Sequence, residues 1–195
     1  WIVRMVAQAA AQGKYTGQLH VYSHDKALQV LTDICRMTLP VKIVSQFGAS
    51  IVFHEVKDGE SWQVEDMEIT CFDIHSTKEK QFGLQAILPD GQRLVCLGDE
   101  PYKAMNETYA KEADWLLCEA FCLYQDREIF KPYEKHHCTT KDVGEMAETL
   151  RPKHVVVYHP EDTDLPHRKM RYTAEVQAYF SGKVYVPDDL EQITL

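Results

Sequence analysis

Four apolar segments of this sequence run directly into residues that can bind a metal or move a proton. Phe72-Asp73-Ile74 is followed by His75-Ser76, and Val95-Cys96-Leu97-Gly98 by Asp99-Glu100. Leu116-Leu117-Cys118 is followed by Glu119, and Val155-Val156-Val157-Tyr158 by His159-Pro160-Glu161-Asp162. Catalytic groups gather at the C-terminal ends of sheet strands, because loops there are held on a rigid frame. Two imidazoles and a carboxylate at three such ends, His75, Asp99 and His159, are suitable ligands for a divalent metal, and that donor mixture suits zinc. Taken singly, each residue has an ordinary structural role. A strand-end histidine is commonly just hydrogen-bonded, an Asp after Gly98 forms turns or caps helices, and His136-His137 can be simply solvated. The order and spacing of the whole set carry the reading.

The elements that must position these residues follow from periodicity and turn chemistry. Residues 1–12 read as an amphipathic helix ending at Gly13, and 19–22 alternate as a short strand. Ser23 is placed to cap a helix running to about Leu39, which Pro40 stops. Strands are expected over 51–56, 67–74, 82–88, 94–97, 115–118 and 155–158, with turns at Asp58-Gly59 and Pro89-Asp90-Gly91. Helices are expected over 101–112, 140–150 and near 173–180, with a polar loop before 138 and a last strand near 183–186. Antiparallel-looking strands come first and alternating strand and helix follow, which is α/β or mixed α+β in layers. No internal repeat, low-complexity tract or linker divides the chain, so residues 1–195 read as one domain.

The 195 residues carry 21 basic and 30 acidic side chains, a formal charge of −9, and are 45% hydrophobic. That is the composition of a soluble globular protein, and a chain of this length buries roughly 70% of its unfolded surface without needing a disulfide or structural metal. No apolar run approaches the ~20 residues that span a bilayer, so no membrane role is expected. The acidic balance argues against stand-alone nucleic-acid binding but leaves room for a local basic site. The six cysteines include no C-x-x-C pair, which excludes a zinc ribbon and reads as buried, reduced thiols in a cytoplasmic protein. The first residues, Trp1-Ile2-Val3-Arg4-Met5-Val6, are already in helical pattern and lack the build of a signal peptide.

In the order of its motifs the chain resembles the metallo-β-lactamase-fold hydrolases, and within them the ribonuclease Z-like branch. A strand running into Asp73-Ile74-His75-Ser76 matches a family ligand histidine, and Gly98-Asp99 matches the Gly-Asp pair whose carboxylate bridges two metals. Cys118-Glu119-Ala120-Phe121 keeps the Glu and Ala of the family's His-Glu-Ala-Thr loop but not its His or Thr. His137-Cys138-Thr139 matches a His-Ser-Thr segment that opens a helix, and Val157-Tyr158-His159 matches the last ligand. The likeness extends over roughly residues 1–165. The family's most specific signature, His-x-His-x-Asp-His, is absent from these residues. In the family it lies just before a helix like residues 1–12, so the resemblance implies a domain seen without its N-terminal strands.

The resemblance implies a metallo-β-lactamase-like αββα sandwich and two-metal hydrolysis, with zinc expected and manganese or iron as alternatives. His75 would complete one metal's shell, Asp99 would bridge, and His159 would complete the other. His137 would protonate the leaving oxygen, oriented by Glu119. The implied substrate is a phosphodiester, either a small molecule or an RNA 3′ end. Of the basic residues, Pro166-His167-Arg168-Lys169-Met170-Arg171 is the best phosphate-facing candidate, since no Lys/Arg-rich insertion is present. Without the signature cluster the chain is expected to hold metal weakly or not at all and to be inactive by itself. An uncovered sheet edge is expected to favour a homodimer. Two other functions fit the same residues: a non-catalytic interaction module of this fold, and a thioester hydrolase.

Overall fold

Short apolar runs broken by glycine, proline and acidic turns form nine strands and seven helices in the computed structural model, which describes residues 1–195. The chain divides into two compact units, Trp1–Asp58 and Gly59–Leu195.

The first unit contains α1 (Ile2–Ala11), β1 (Leu19–Ser23), α2 (Asp25–Thr38), α3 (Val41–Val44) and β2 (Ile51–Glu55). β1 and β2 pair in parallel, with Leu19 opposite Ile51 and Tyr22 opposite His54. Val3 and Ala7 of α1 pack with Cys35, Ile43 and Ile51 into a small core. α2 starts one residue later than the sequence suggests. His24, not Ser23, caps it, with its Nδ1 accepting from the Ala27 N–H at 3.3 Å. An imidazole acceptor serves an orphan N–H as a hydroxyl would.

The second unit is built on a seven-stranded sheet in the order β3-β4-β5-β6-β7-β8-β9. Its strands are β3 (Ser61–Val64), β4 (Met67–Asp73), β5 (Phe82–Ile87), β6 (Arg93–Cys96), β7 (Trp115–Glu119), β8 (His154–Tyr158) and β9 (Lys183–Tyr185). The pairs from β3 to β6 are antiparallel, and those from β6 to β9 are parallel. Parallel strands need crossovers, supplied by α4 (Glu107–Ala110), α5 (Arg127–Phe130), α6 (Thr140–Leu150) and α7 (Leu165–Gln177). The helix expected over 101–112 is only a 3-10 turn followed by the four-residue α4, and the last helix begins at Leu165. β7 and β8 are buried on both faces, with Leu116, Val155 and Val157 fully enclosed. Each such side chain contributes roughly 1.5–3 kcal/mol through burial. No helix is long and apolar enough to cross a membrane. None of the six cysteines is joined to another in a disulfide, and five of them are buried.

Gly83 on β5 shows how tightly the antiparallel half is packed. It lies opposite Phe72, and a Cβ there would stand 2.6 Å from the Phe72 ring and 2.7 Å from the Cys96 carbonyl oxygen. The ring can turn, but the carbonyl belongs to the neighbouring strand's backbone. Gly83→Ala is therefore expected to destabilise the protein by about 2–3 kcal/mol. A denaturation midpoint within error of wild type would contradict this packing.

Candidate metal centre

β6, β7 and β8 run parallel, with Cys96 opposite Leu117 and Leu117 opposite Val156. Asp99, Glu119 and His159 each follow these positions by two or three residues, so all three emerge at one edge of the sheet. The chain turns sharply there. Gly98 adopts φ 81° and His159 φ 62°, left-handed conformations that end a strand at once. The Tyr158 hydroxyl donates to the Gly98 carbonyl and ties the β6 and β8 ends together.

His137 reaches the same edge by another route. Residues 137–140 lie beside 119–122 and extend the pattern of β7: Phe121 N–H donates to Cys138 O at 2.9 Å, and Thr140 N–H to Cys122 O at 3.0 Å. Thr139 then opens α6 with a capping box, its side chain accepting from Asp142 N–H while the Asp142 carboxylate accepts from Thr139 N–H.

Asp99, His137 and His159 come together so that one ligand atom from each lies within 4.8 Å of the others. The His159 Nε2 to Asp99 Oδ1 distance is 3.5 Å, and two ligands of one tetrahedral zinc stand about 3.4 Å apart. The His137 and His159 rings stack with centroids 4.8 Å apart, and Phe121 stacks on His137 at 5.4 Å. Two imidazoles and a carboxylate that converge without hydrogen-bonding one another fit a zinc ion in both chemistry and spacing.

Glu119 is buried behind this group, 1% exposed. Its Oε1 accepts from the Cys138 N–H at 2.8 Å, and its Oε2 lies 3.5 Å from His137 Nδ1. Neither Glu119 Oε2 nor His137 Nδ1 has a hydrogen-bond partner. Burial pushes the Glu119 carboxyl up to about 7, against the opposing hydrogen bond from Cys138. Burial first, and the Lys78 and His159 charges next, hold His137 below the usual imidazole range.

His75 does not join the Asp99 group. It follows β4, which is separated from β6 by β5, so two strand spacings of about 10 Å lie between their backbones. It too is left-handed, at φ 54°, and its N–H donates to Asp73 Oδ1 at 2.7 Å. The loop beyond it is pinned by Glu100, which is nearly buried and accepts from Ser76 Oγ at 2.5 Å and from Thr77 N–H at 3.1 Å. Burial raises the Glu100 carboxyl, but these hydrogen bonds and Lys103 outweigh it and leave it below the usual carboxylate range. His136 accompanies Thr77 rather than the centre, with its Nδ1 2.8 Å from Thr77 Oγ1.

The basic segment expected to face phosphate is instead the first half of α7, and its charges are already paired. Arg168 bonds Asp162 and Asp188, Lys169 bonds Glu191, and Arg171 bonds Asp164. His167 also pairs with Asp164. Two residues that the motif reading passed over stand at the centre: Phe121, and Lys78 with its Nζ 3.5 Å from His137 Nε2. In sequence Lys78 sits in the mixed run Lys78-Glu79-Lys80, which resembles any solvated loop.

No family model matches the sequence, and no curated protein matches it. Solved structures do match in fold. The metallo-β-lactamase fold protein YhfI from Bacillus subtilis aligns with a TM-score of 0.70 at 16% identity, over 95% of this chain and 68% of its own. The short form of human tRNase Z aligns at 0.65 and 15% identity, over 99% and 73%. Zinc-bound PqqB from Methylobacterium extorquens aligns at 0.65 and 14% identity, over 91% and 62%.

Proposed function

From the metallo-β-lactamase fold of this chain, and from the donors gathered at its sheet edge, we propose a metal-dependent hydrolase of phosphodiesters. The observation that carries the proposal is the convergence of Asp99, His137 and His159 within 4.8 Å. The likeness to tRNase Z supports the phosphodiester, and the likeness to zinc-bound PqqB supports the metal. Asp99 and His159 would hold the ion. Bound there, the metal would supply positive charge against the negative charge that develops on the phosphoryl oxygens.

The chain's own part is proton handling. Glu119 and His137 face each other across 3.5 Å in a buried setting. With Glu119 raised to about 7, the pair retains a proton near neutrality, and His137, itself a weakened base, releases it readily to a leaving oxygen. Phe121 stacks on the His137 ring and packs against His159 with centroids 6.0 Å apart. In the metal-loaded enzyme, His137→Ala is expected to lower kcat by about 10²–10⁴-fold while bound metal changes little.

The 4.8 Å grouping favours a second role for His137, as a third ligand with Glu119 behind it, the arrangement a carboxylate gives to metal-bound histidine. Metal content of His137→Ala decides between the two, because loss of the ion would place His137 in the ligand set. The function itself is tested by hydrolysis of bis-p-nitrophenyl phosphate with added zinc or manganese. A protein that binds the metal but cleaves neither this diester nor an RNA 3′ extension would overturn the phosphodiesterase reading.

A further inference from the structure

Several lysines of the second unit are neutralised by carboxylates. Lys111 pairs with Glu107 at 2.7 Å, Lys131 with Glu128 at 3.0 Å, and Lys153 with Asp114 at 2.6 Å. Lys78 is not paired in this way. Its ammonium points at the candidate centre, 3.5 Å from His137 Nε2, and its charge helps depress the proton affinity of that imidazole. The ammonium hydrogen-bonds an imidazole nitrogen rather than a carboxylate, so its charge is not neutralised there.

The loop that carries Lys78 is built to hold it. Ser76 Oγ accepts from the Lys78 N–H at 3.1 Å and donates to Glu100 at 2.5 Å, while Thr77 N–H donates to the same carboxylate. Glu100 is 3% exposed, so the Lys78 backbone is anchored to a buried acceptor. A second ammonium, Lys135, lies 4.9 Å from the centroid of the Phe121 ring, the ring that stacks on His137. In a chain of net charge −9, two lysines without carboxylate partners beside one set of imidazoles have a common use.

We propose that Lys78, assisted by Lys135, forms an anion site that takes a non-bridging oxygen of a substrate phosphate at the Asp99–His137–His159 centre. Lysine binds phosphate as a point charge, and a fixed cation at the mouth offsets the repulsion that the acidic chain exerts on a phosphate ester. The substrate class is taken from the hydrolase reading, whereas the cation site stands on geometry alone.

The experiment separates the two. Metal-free protein is titrated with inorganic phosphate while the His137 and His159 imidazole resonances are followed. In wild type these signals should shift and saturate. Lys78→Met should weaken phosphate binding about tenfold, Lys135→Met about threefold, and Lys153→Met not at all. On the zinc-loaded protein, Lys78→Met should raise KM for bis-p-nitrophenyl phosphate, and Lys78→Arg should recover most of the loss. Phosphate that fails to shift His137 in wild type, or that binds Lys78→Met as tightly, overturns the anion site even if the diester is hydrolysed. If no diester is hydrolysed but phosphate binding still depends on Lys78, the anion site stands and the hydrolase reading falls.

Discussion

Replacing Asp99 with alanine is expected to strip metal from the centre and lower kcat/KM for a diester by about 10³-fold, with the fold intact. Asp99 is the only carboxylate among the three converging donors, and an anionic oxygen ligand contributes charge that a neutral imidazole does not. Its side chain is half exposed and faces His159 across 3.5 Å, so removing it opens no cavity in the core. Asp99→Asn keeps the shape, removes the charge and should fall between wild type and alanine. Elemental analysis after gel filtration, with the diester assay on the same fractions, reads both effects. Undiminished zinc in Asp99→Ala would show that the ion is held elsewhere and that the 4.8 Å grouping is incidental.

The sequence exposed the parallel half of the sheet far better than the antiparallel half. β7 and β8 are buried on both faces and β6 is partly buried, so all three read as short apolar runs, and the first polar residues after them lie at one edge of the sheet. Asp99, Glu119 and His159 were legible for that reason. The helix from Thr140 was legible from its pattern, whereas the structure assigns its cap to Thr139, whose side chain and Asp142 form a capping box. β3 was not legible. Ser61-Trp62-Gln63-Val64 is short and half exposed, and it exists through pairing with β4 across a two-residue turn in which Glu65 takes φ 54°. Nor could sequence show which donors meet. Local pattern puts His75 at a strand end like the others, but only the order β4-β5-β6 sets its strand two spacings from that of Asp99. The passage of 137–140 alongside 119–122 brings His137 to the centre, and that pairing has no local signature either.

Glu119 makes the pH dependence of stability run opposite to that of an ordinary salt-bridged carboxylate. Its folded value is raised, from an ordinary 4.5 to about 7, chiefly by burial. Below pH 4.5 the carboxyl is protonated in both folded and unfolded chains and costs nothing. Between 4.5 and 7 the unfolded chain releases its proton first, so stability falls as pH rises. Above 7 both states are ionised, and the full difference, about 3 kcal/mol, weighs against the fold. Glu119→Gln keeps a carbonyl oxygen for the Cys138 N–H and removes the titration. In metal-free protein the variant should match wild type near pH 4.5 and exceed it progressively to pH 8. The melting temperature should then be roughly 6–12 °C higher for a chain of this size. Added zinc should narrow the gap, because a cation at Asp99 and His159 favours the ionised carboxylate behind His137. The protein would thus hold a carboxyl that is destabilising until the centre is filled, and in exchange keep a proton within reach of His137. Parallel melting curves for variant and wild type from pH 5 to 8, with or without metal, would mean that Glu119 ionises freely in the folded chain, and the proton-sharing role of the Glu119–His137 pair would fall with it.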